Sequence, residues 1–181
     1  MNAILDLGDR GAELSDCGRY RFLLWRRWNK TRPRAVFIML NPSTADATED
    51  DPTIRRCIGF AKRWGYGGIR IANLFAFRAT KPADLWKADD PVGSGNLPAI
   101  ERAMETKGIH VAAWGADKRA DRQAKRVRTL FYEMGIPLYA LKLTKAGHPS
   151  HPLYLPNDSM PVVYEPARHA LAVGDRWGRA A

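Results

Sequence analysis

Arg34-Ala-Val-Phe-Ile-Met-Leu-Asn-Pro-Ser-Thr-Ala-Asp46 is the stretch on which the fold turns. Residues 35–40 form an unbroken apolar run, the pattern of a strand buried on both faces. Asn41-Pro42 ends it, because proline has no amide hydrogen to give a sheet. A loop of small and polar residues then leads through Asp46, Glu49, Asp50 and Asp51 to a helix start at Pro52-Thr53-Ile54. Asp51 suits the N-cap, Pro52 the first helical position and Gly65 the stop. Ile54, Cys57, Ile58 and Ala61 make one apolar stripe, so this helix faces a core. Strand, polar loop, helix is the layout by which α/β proteins present a ligand at the carboxyl end of a sheet.

The same alternation recurs downstream. A second strand starts at Ile69 and ends near Asn73, residues 96–107 read as a helix, and residues 109–114 as a third strand broken at Gly115. Between them, residues 79–98 read as a short helix and a long loop. Residues 119–134 form a basic amphipathic helix with Ala124, Val127 and Phe131 inward, and residues 137–143 the last strand. Upstream, residues 19–28 alternate basic and apolar, which predicts a strand with one wet face at a sheet edge. Residues 1–18 are expected as a loose lead-in, 19–165 as one domain and 166–181 as a basic tail. The expected fold is an α/β three-layer sandwich around a mostly parallel sheet.

A formal charge of +10, from 29 basic against 19 acidic residues, points to an anionic partner, nucleic acid or nucleotide. Cys17 and Cys57 lie far apart with no second pair, which argues against a disulfide framework or an iron–sulfur cluster. No apolar run approaches the ~20 residues of a membrane span, and the first residues lack the basic start of a signal peptide. A cytoplasmic monomer without membrane contact is expected.

In a parallel sheet, the loops after successive strands emerge at one edge. Asn41, Asn73, Trp114-Gly115 and His148 each stand at or just past a strand end, so they are expected to converge on one cleft. The amides around Pro42 and Ser43, with Asn41, would hold a substrate group or a water, or simply turn the chain. Asp46 is the candidate general base, while Asp51 suits the cap. Asn73 offers a donor and an acceptor together, as reading the edge of a nucleobase requires, and Phe75 could stack on a flat ring or fill the core. His148 could hydrogen-bond charge developing on a leaving group. Ser150 and the basic helix (Arg119, Arg122, Lys125, Arg126) could meet phosphates, or the helix could be a solvated face. The prolines around His148 and His151 and the lack of a nearby Cys or Glu argue against a metal, and no cofactor is expected.

Residues 34–148 closely resemble a bacterial and phage family of unknown function with an Asn-Pro-Ser-Thr-Ala-Asp loop and an Asp-Asp-Pro-Thr helix start. More distantly, four motifs in order resemble those of the uracil-DNA glycosylase superfamily. Leu40-Asn41-Pro42-Ser43 is similar to its water-positioning loop and Ile71-Ala-Asn73-Leu-Phe75 to its base-reading strand. Ala113-Trp114-Gly115 is similar to its third strand end, and Gly147-His148-Pro149-Ser150 to its leaving-group and DNA-wedge loop. That resemblance implies hydrolysis of an N-glycosidic bond of a flipped natural or modified base. Asn41 would place the water, Asn73 read the base with Phe75, Pro42 and Ser43 around it, His148 hold the leaving anion and Leu153 wedge into DNA. Asn41 cannot take a proton, so Asp46 would have to supply the carboxylate. His151 displaces the wedge by one place, and Ser43-Thr44 replace the expected tyrosine or glycine, which argues against uracil itself. A binding module without catalysis and a hydrolase of small nucleotides are the alternatives.

Overall fold

The computed structural model describes residues 2–6 and 8–165; the 166–181 tail lies outside the described residues. One eight-stranded sheet carries the chain, built from β1 (Asn2–Asp6), β2 (Arg10–Ser15), β3 (Arg21–Arg27), β4 (Arg34–Met39), β5 (Gly68–Asn73), β6 (Gly108–Ala112), β7 (Leu138–Ala140) and β8 (Val162–Glu165). Its order is β1-β2-β3-β5-β4-β6-β7-β8. Three pairings, β5–β4, β4–β6 and β6–β7, are parallel, and the other four are antiparallel. The expectation of a mostly parallel sheet is therefore corrected: a four-stranded parallel centre is extended by antiparallel strands on both sides. The α/β class stands.

The helices cover both faces. α1 (Pro52–Arg63) packs Ile54, Cys57, Phe60 and Ala61 against Ala35, Phe37, Met39, Ile69 and Ile71. α3 (Asn96–Met104) and α4 (Asp121–Glu133) cover the opposite face, where Val36, Ile38 and Ala72 meet Ile100, Met104, Val127 and Phe131. A one-turn helix, α2 (Pro82–Leu85), precedes α3. β4 sends its crossover to β5 over one face, and β5 sends its crossover to β6 over the other. The direction of winding thus reverses at β4, the point at which doubly wound α/β sheets place a ligand crevice beyond the carboxyl ends of their parallel strands.

Two upstream expectations change. The 1–18 stretch is not loose, since residues 2–6 and 10–15 form a hairpin that pairs onto β3. That makes β3 an interior strand rather than an edge strand. Its register against β2 shifts between Glu13 and Leu14, so Phe22 is an extra residue and both Phe22 and Leu23 join the core under α3. The bulge resets the alternation, and a pattern of period two misreads the strand.

The later elements follow the expected pattern with trimmed ends. Asp51 caps α1 through a 2.8 Å bond from the Ile54 amide. The helix expected at 119–134 opens with a 3-10 turn, Lys118–Ala120, because Asp117 accepts the Arg119 amide and holds a tight first turn. Residues 152–165 add a 3-10 turn, Pro152–Tyr154, and the edge strand β8. Among the described residues, no helix is long and apolar enough to cross a membrane.

Candidate functional site

The parallel strands deliver Asn41, Asn73 and Trp114 to one edge of the sheet, where the segment around His148 also arrives: Gly115 donates its amide to the Pro149 carbonyl at 3.0 Å. The side chains do not all face one cavity. Successive strand residues point to opposite faces. Asn73, in register with Met39, shares the α1 side with Ile69 and Ile71, whereas Trp114 packs on the α4 side.

Asn73 is 1% exposed, and both its Nδ2 and its Oδ1 are buried with no hydrogen-bond partner among the described residues. Its backbone is held from the opposite face: Asn96 Nδ2 donates to the carbonyls of Asn73 (3.1 Å) and Leu74 (2.9 Å), and Gln123 Nε2 donates to Leu74 (3.2 Å). Two buried amides, from α3 and α4, thus fix the exit of β5 while the Asn73 side chain remains uncommitted. An unpaired buried donor or acceptor costs about 1–3 kcal/mol, which a folded chain retains where it has a use.

The loop after β4 is ordered from within. Asn41 Nδ2 donates to the carbonyls of Pro42 (2.9 Å) and Ala79 (2.8 Å), tying this loop to the exit of β5. Pro42 is buried, Ser43 half-buried. Asp46 Oδ1 accepts the amides of Thr48 (2.8 Å) and Glu49 (2.9 Å) and the Thr48 hydroxyl (3.1 Å). Those bonds, the Glu49 amide first, hold its carboxyl below the usual carboxylate range. So engaged, Asp46 is a poor proton acceptor and a good turn residue.

Two arginines of β3 complete the loop, and the sequence reading assigned neither a role. Arg26, 4% exposed, reaches Asp50 Oδ1 through Nε (2.9 Å) and the carbonyls of Asp46 (2.7 Å) and Glu49 (3.3 Å) through Nη2. Arg21, equally buried, donates from Nη1 to the Ala45 carbonyl at 2.6 Å, while its Nε is buried without a partner. Burial pushes the Arg21 pKa down to about 10, opposed first by Asp51. Arg21 therefore stays cationic at neutral pH beneath the start of α1.

The two loop histidines divide between the faces. His148 Nδ1 lies 3.7 Å from Asp121 Oδ1 and lines an open groove of about 510 Å³ with Trp114, Lys125, Arg128 and Tyr164. Neither Asn41 nor Asn73 lines that groove. His151 instead caps the Pro152–Tyr154 turn, its Nδ1 accepting the Leu153 amide at 3.3 Å, and feels the field of Asp51 on the α1 side. In the neutral ring this leaves the proton on Nε2. Burial lowers its pKa. The histidine on Asn73's face is thus His151, four residues after Gly147, rather than His148.

The remaining candidates separate too. Phe75 is 5% exposed and meets Trp86 edge-on at 5.0 Å, so it is a core aromatic. Arg119 bonds Asp117 at 2.7 Å and stacks over Trp86, whereas Arg122, Lys125 and Arg126 are exposed along α4. Ser150 is half-buried with its amide on the Lys142 carbonyl. Leu153 is half-buried, and its neighbour Tyr154, 84% exposed, is the side chain that projects.

A family model described as "Protein of unknown function (DUF1643)" matches residues 21–153. The chain belongs to that family. The match runs from Arg21 through Leu153, so the family region contains β3, the β4 loop, Asn73 and both loop histidines. No curated protein and no solved structure matches the chain. The family carries no assigned activity, so the functional reading rests on the site itself.

Proposed function

We propose that this protein recognises a nucleobase, in nucleic acid or as a nucleotide, in the crevice at the carboxyl ends of the parallel strands. The observation that carries the reading is the Asn73 amide, buried, unpaired and rigidly mounted on a core strand. A side-chain amide presents N–H donors and a carbonyl acceptor in one plane, which complements the edge of a base. Arg21 and His151 supply a cation and a neutral imidazole on the same face. The test is binding of free bases, nucleosides and short oligonucleotides to the full chain and to Asn73→Asp. Replacing the NH2 donor by a second acceptor should weaken binding at least tenfold. Equal affinity in both proteins would remove Asn73 as the reader.

A second reading, release of the base by hydrolysis of its N-glycosidic bond, is favoured by the arrival of all four motif segments at one edge. With Asn41 tied to backbone carbonyls, and Asp46 and Asp51 to backbone amides, the group left to orient a water on Asn73's face is His151. Mass spectrometry of bases freed from DNAs carrying varied modifications decides it. Release that survives His151→Ala would exclude this assignment.

A further inference from the structure

The opposite edge of the sheet carries a second charged cavity. It holds about 310 Å³, lies against the hairpin and is lined by Arg27, Arg34, Arg70 and Arg102 with Trp25 and Glu13. Arg27 ends β3, Arg34 opens β4 and Arg70 lies near the start of β5, so all three stand at the amino edge of the parallel strands, away from Asn73.

The acids do not balance these cations. Glu13 is bound by both of its oxygens to Arg102 Nη2, at 2.8 and 2.7 Å. Asp6, also on the wall, accepts the Gly8 amide. Arg70 spends Nη1 on the Arg102 carbonyl and the Thr106 hydroxyl, and its Nε is buried without a partner. Arg27 spends Nη2 on the carbonyls of Lys30 and Arg32, and its Nε too is buried and unpaired. The half-buried Arg34 side chain has no hydrogen-bond or ion-pair partner among the described residues. Burial first, then Arg70 and Arg27, push the Arg34 pKa down to about 10. Arg70 is lowered likewise, with the exposed Glu105 and with Glu13 opposing.

The wall is shaped for close approach. A Cβ at Gly11 would sit 2.2 Å from the Trp25 ring, so only glycine lets that ring lie flat across the hairpin. Guanidiniums that crowd one another at a half-buried site, with donors unspent, match the planar, multidentate demand of phosphate oxygens.

We infer that the cavity between the β1–β2 hairpin and the starts of β4 and β5 binds a phosphate-bearing anion, with Arg34, Arg27 and Arg70 as its ligands. The phosphate belongs either to a free nucleotide or polyphosphate or to a nucleic-acid backbone. This site stands apart from the nucleobase reading, which can fail without it.

The experiment is calorimetric titration of the full chain at low salt with pyrophosphate and, separately, with a short single-stranded oligonucleotide. Arg34→Gln is the principal variant and Arg27→Gln the second, with circular dichroism to check folding. Pyrophosphate bound at one site per chain, and weakened tenfold or more in Arg34→Gln, establishes the site for small phosphates. Oligonucleotide affinity that falls tenfold in the same variant, with pyrophosphate unbound, establishes it for a backbone phosphate. Affinities unaltered by both arginine variants, or no binding of either probe, would overturn the inference.

Discussion

Replacing Asn73 by leucine should stabilise the protein while removing what we propose it does. The amide has two buried polar atoms with no partner, and each such group costs about 1–3 kcal/mol relative to being hydrogen-bonded or absent. Leucine keeps the branching at Cγ and removes both atoms, but it is larger, and overpacking a filled core costs about 1–3 kcal/mol. Taken at the middle of both ranges, the difference is a net gain of about 2 kcal/mol. For a chain of this length each kcal/mol moves Tm by about 2–4 °C, so a rise of about 5 °C is expected. Thermal unfolding by circular dichroism gives the shift, and urea unfolding with an unchanged slope confirms that the folded state is responsible. Asn73→Val removes the same atoms with less added bulk than leucine and separates crowding from polarity. If both variants lose more than about 2 kcal/mol, the amide is satisfied in solution and the case for a waiting base reader collapses. If both gain stability and lose base binding, the residue is retained against its own folding cost, as functional groups in cores are.

Two further outcomes follow from the same geometry. Arg26→Ala strands Asp50 and frees the carbonyls of Asp46 and Glu49, and losing one partner of a buried ion pair should cost about 3 kcal/mol. Hydrogen exchange at the Thr48 and Glu49 amides should accelerate in that variant, and unchanged exchange would show that the Asp46 turn orders the loop alone. His110 and His151 are both held neutral, chiefly by burial, so their folded pKa values lie below the unfolded value of about 6.5. The unfolded chain then takes up protons first. Stability should be full above about pH 6.5 and fall as the pH drops from there toward the depressed folded values. Asp46 and Asp117, depressed by their hydrogen bonds, act only in the more acidic carboxylate range. Urea midpoints at pH 7.5, 6 and 5 read the slope, which His110→Gln should flatten; an unaltered slope would place the titration elsewhere.

The centre of the fold was legible because its signals are local. The apolar run at 35–40, the Asp51-Pro52 start and the Gly65 stop each state a physical constraint, and β4 and α1 obey them. The hairpin was not legible. Residues 2–6 and 10–15 are short, and the apolar Ile4 and Leu5 remain exposed, so no hydrophobic alternation announces the strands. β8 is equally exposed at Val162 and Val163 and depends on pairing with β7 rather than on burial. In the site, strand ends could be read but side-chain directions could not. Asn73 stood out as polar in an apolar strand, whereas choosing between His148 and His151 required knowing that the chain between them crosses from the α4 side to the α1 side.

The distribution of charge makes the same point more strongly. The sequence placed the protein's basic character on α4, yet that helix leaves only part of it free: Arg119 is held by Asp117 and Trp86, and Arg128 by Glu165 and the Tyr164 ring. β3, with its arginines at 21, 26 and 27, contributes to both ends of the sheet. Arg21 and Arg26 enter the loop after β4, and Arg27 enters the hairpin cavity. A guanidinium can be buried only where its donors meet acceptors. The carbonyls of Ala45, Asp46 and Glu49 provide them for Arg21 and Arg26, so the loop after β4 takes its shape from β3 as much as from its own turn residues. At the hairpin end the protein's acceptors run out before the donors do: among the described residues the whole Arg34 side chain is unpaired, whereas Arg21 leaves only its Nε unspent. That imbalance separates an arginine that organises a loop from one that is free to take an anion.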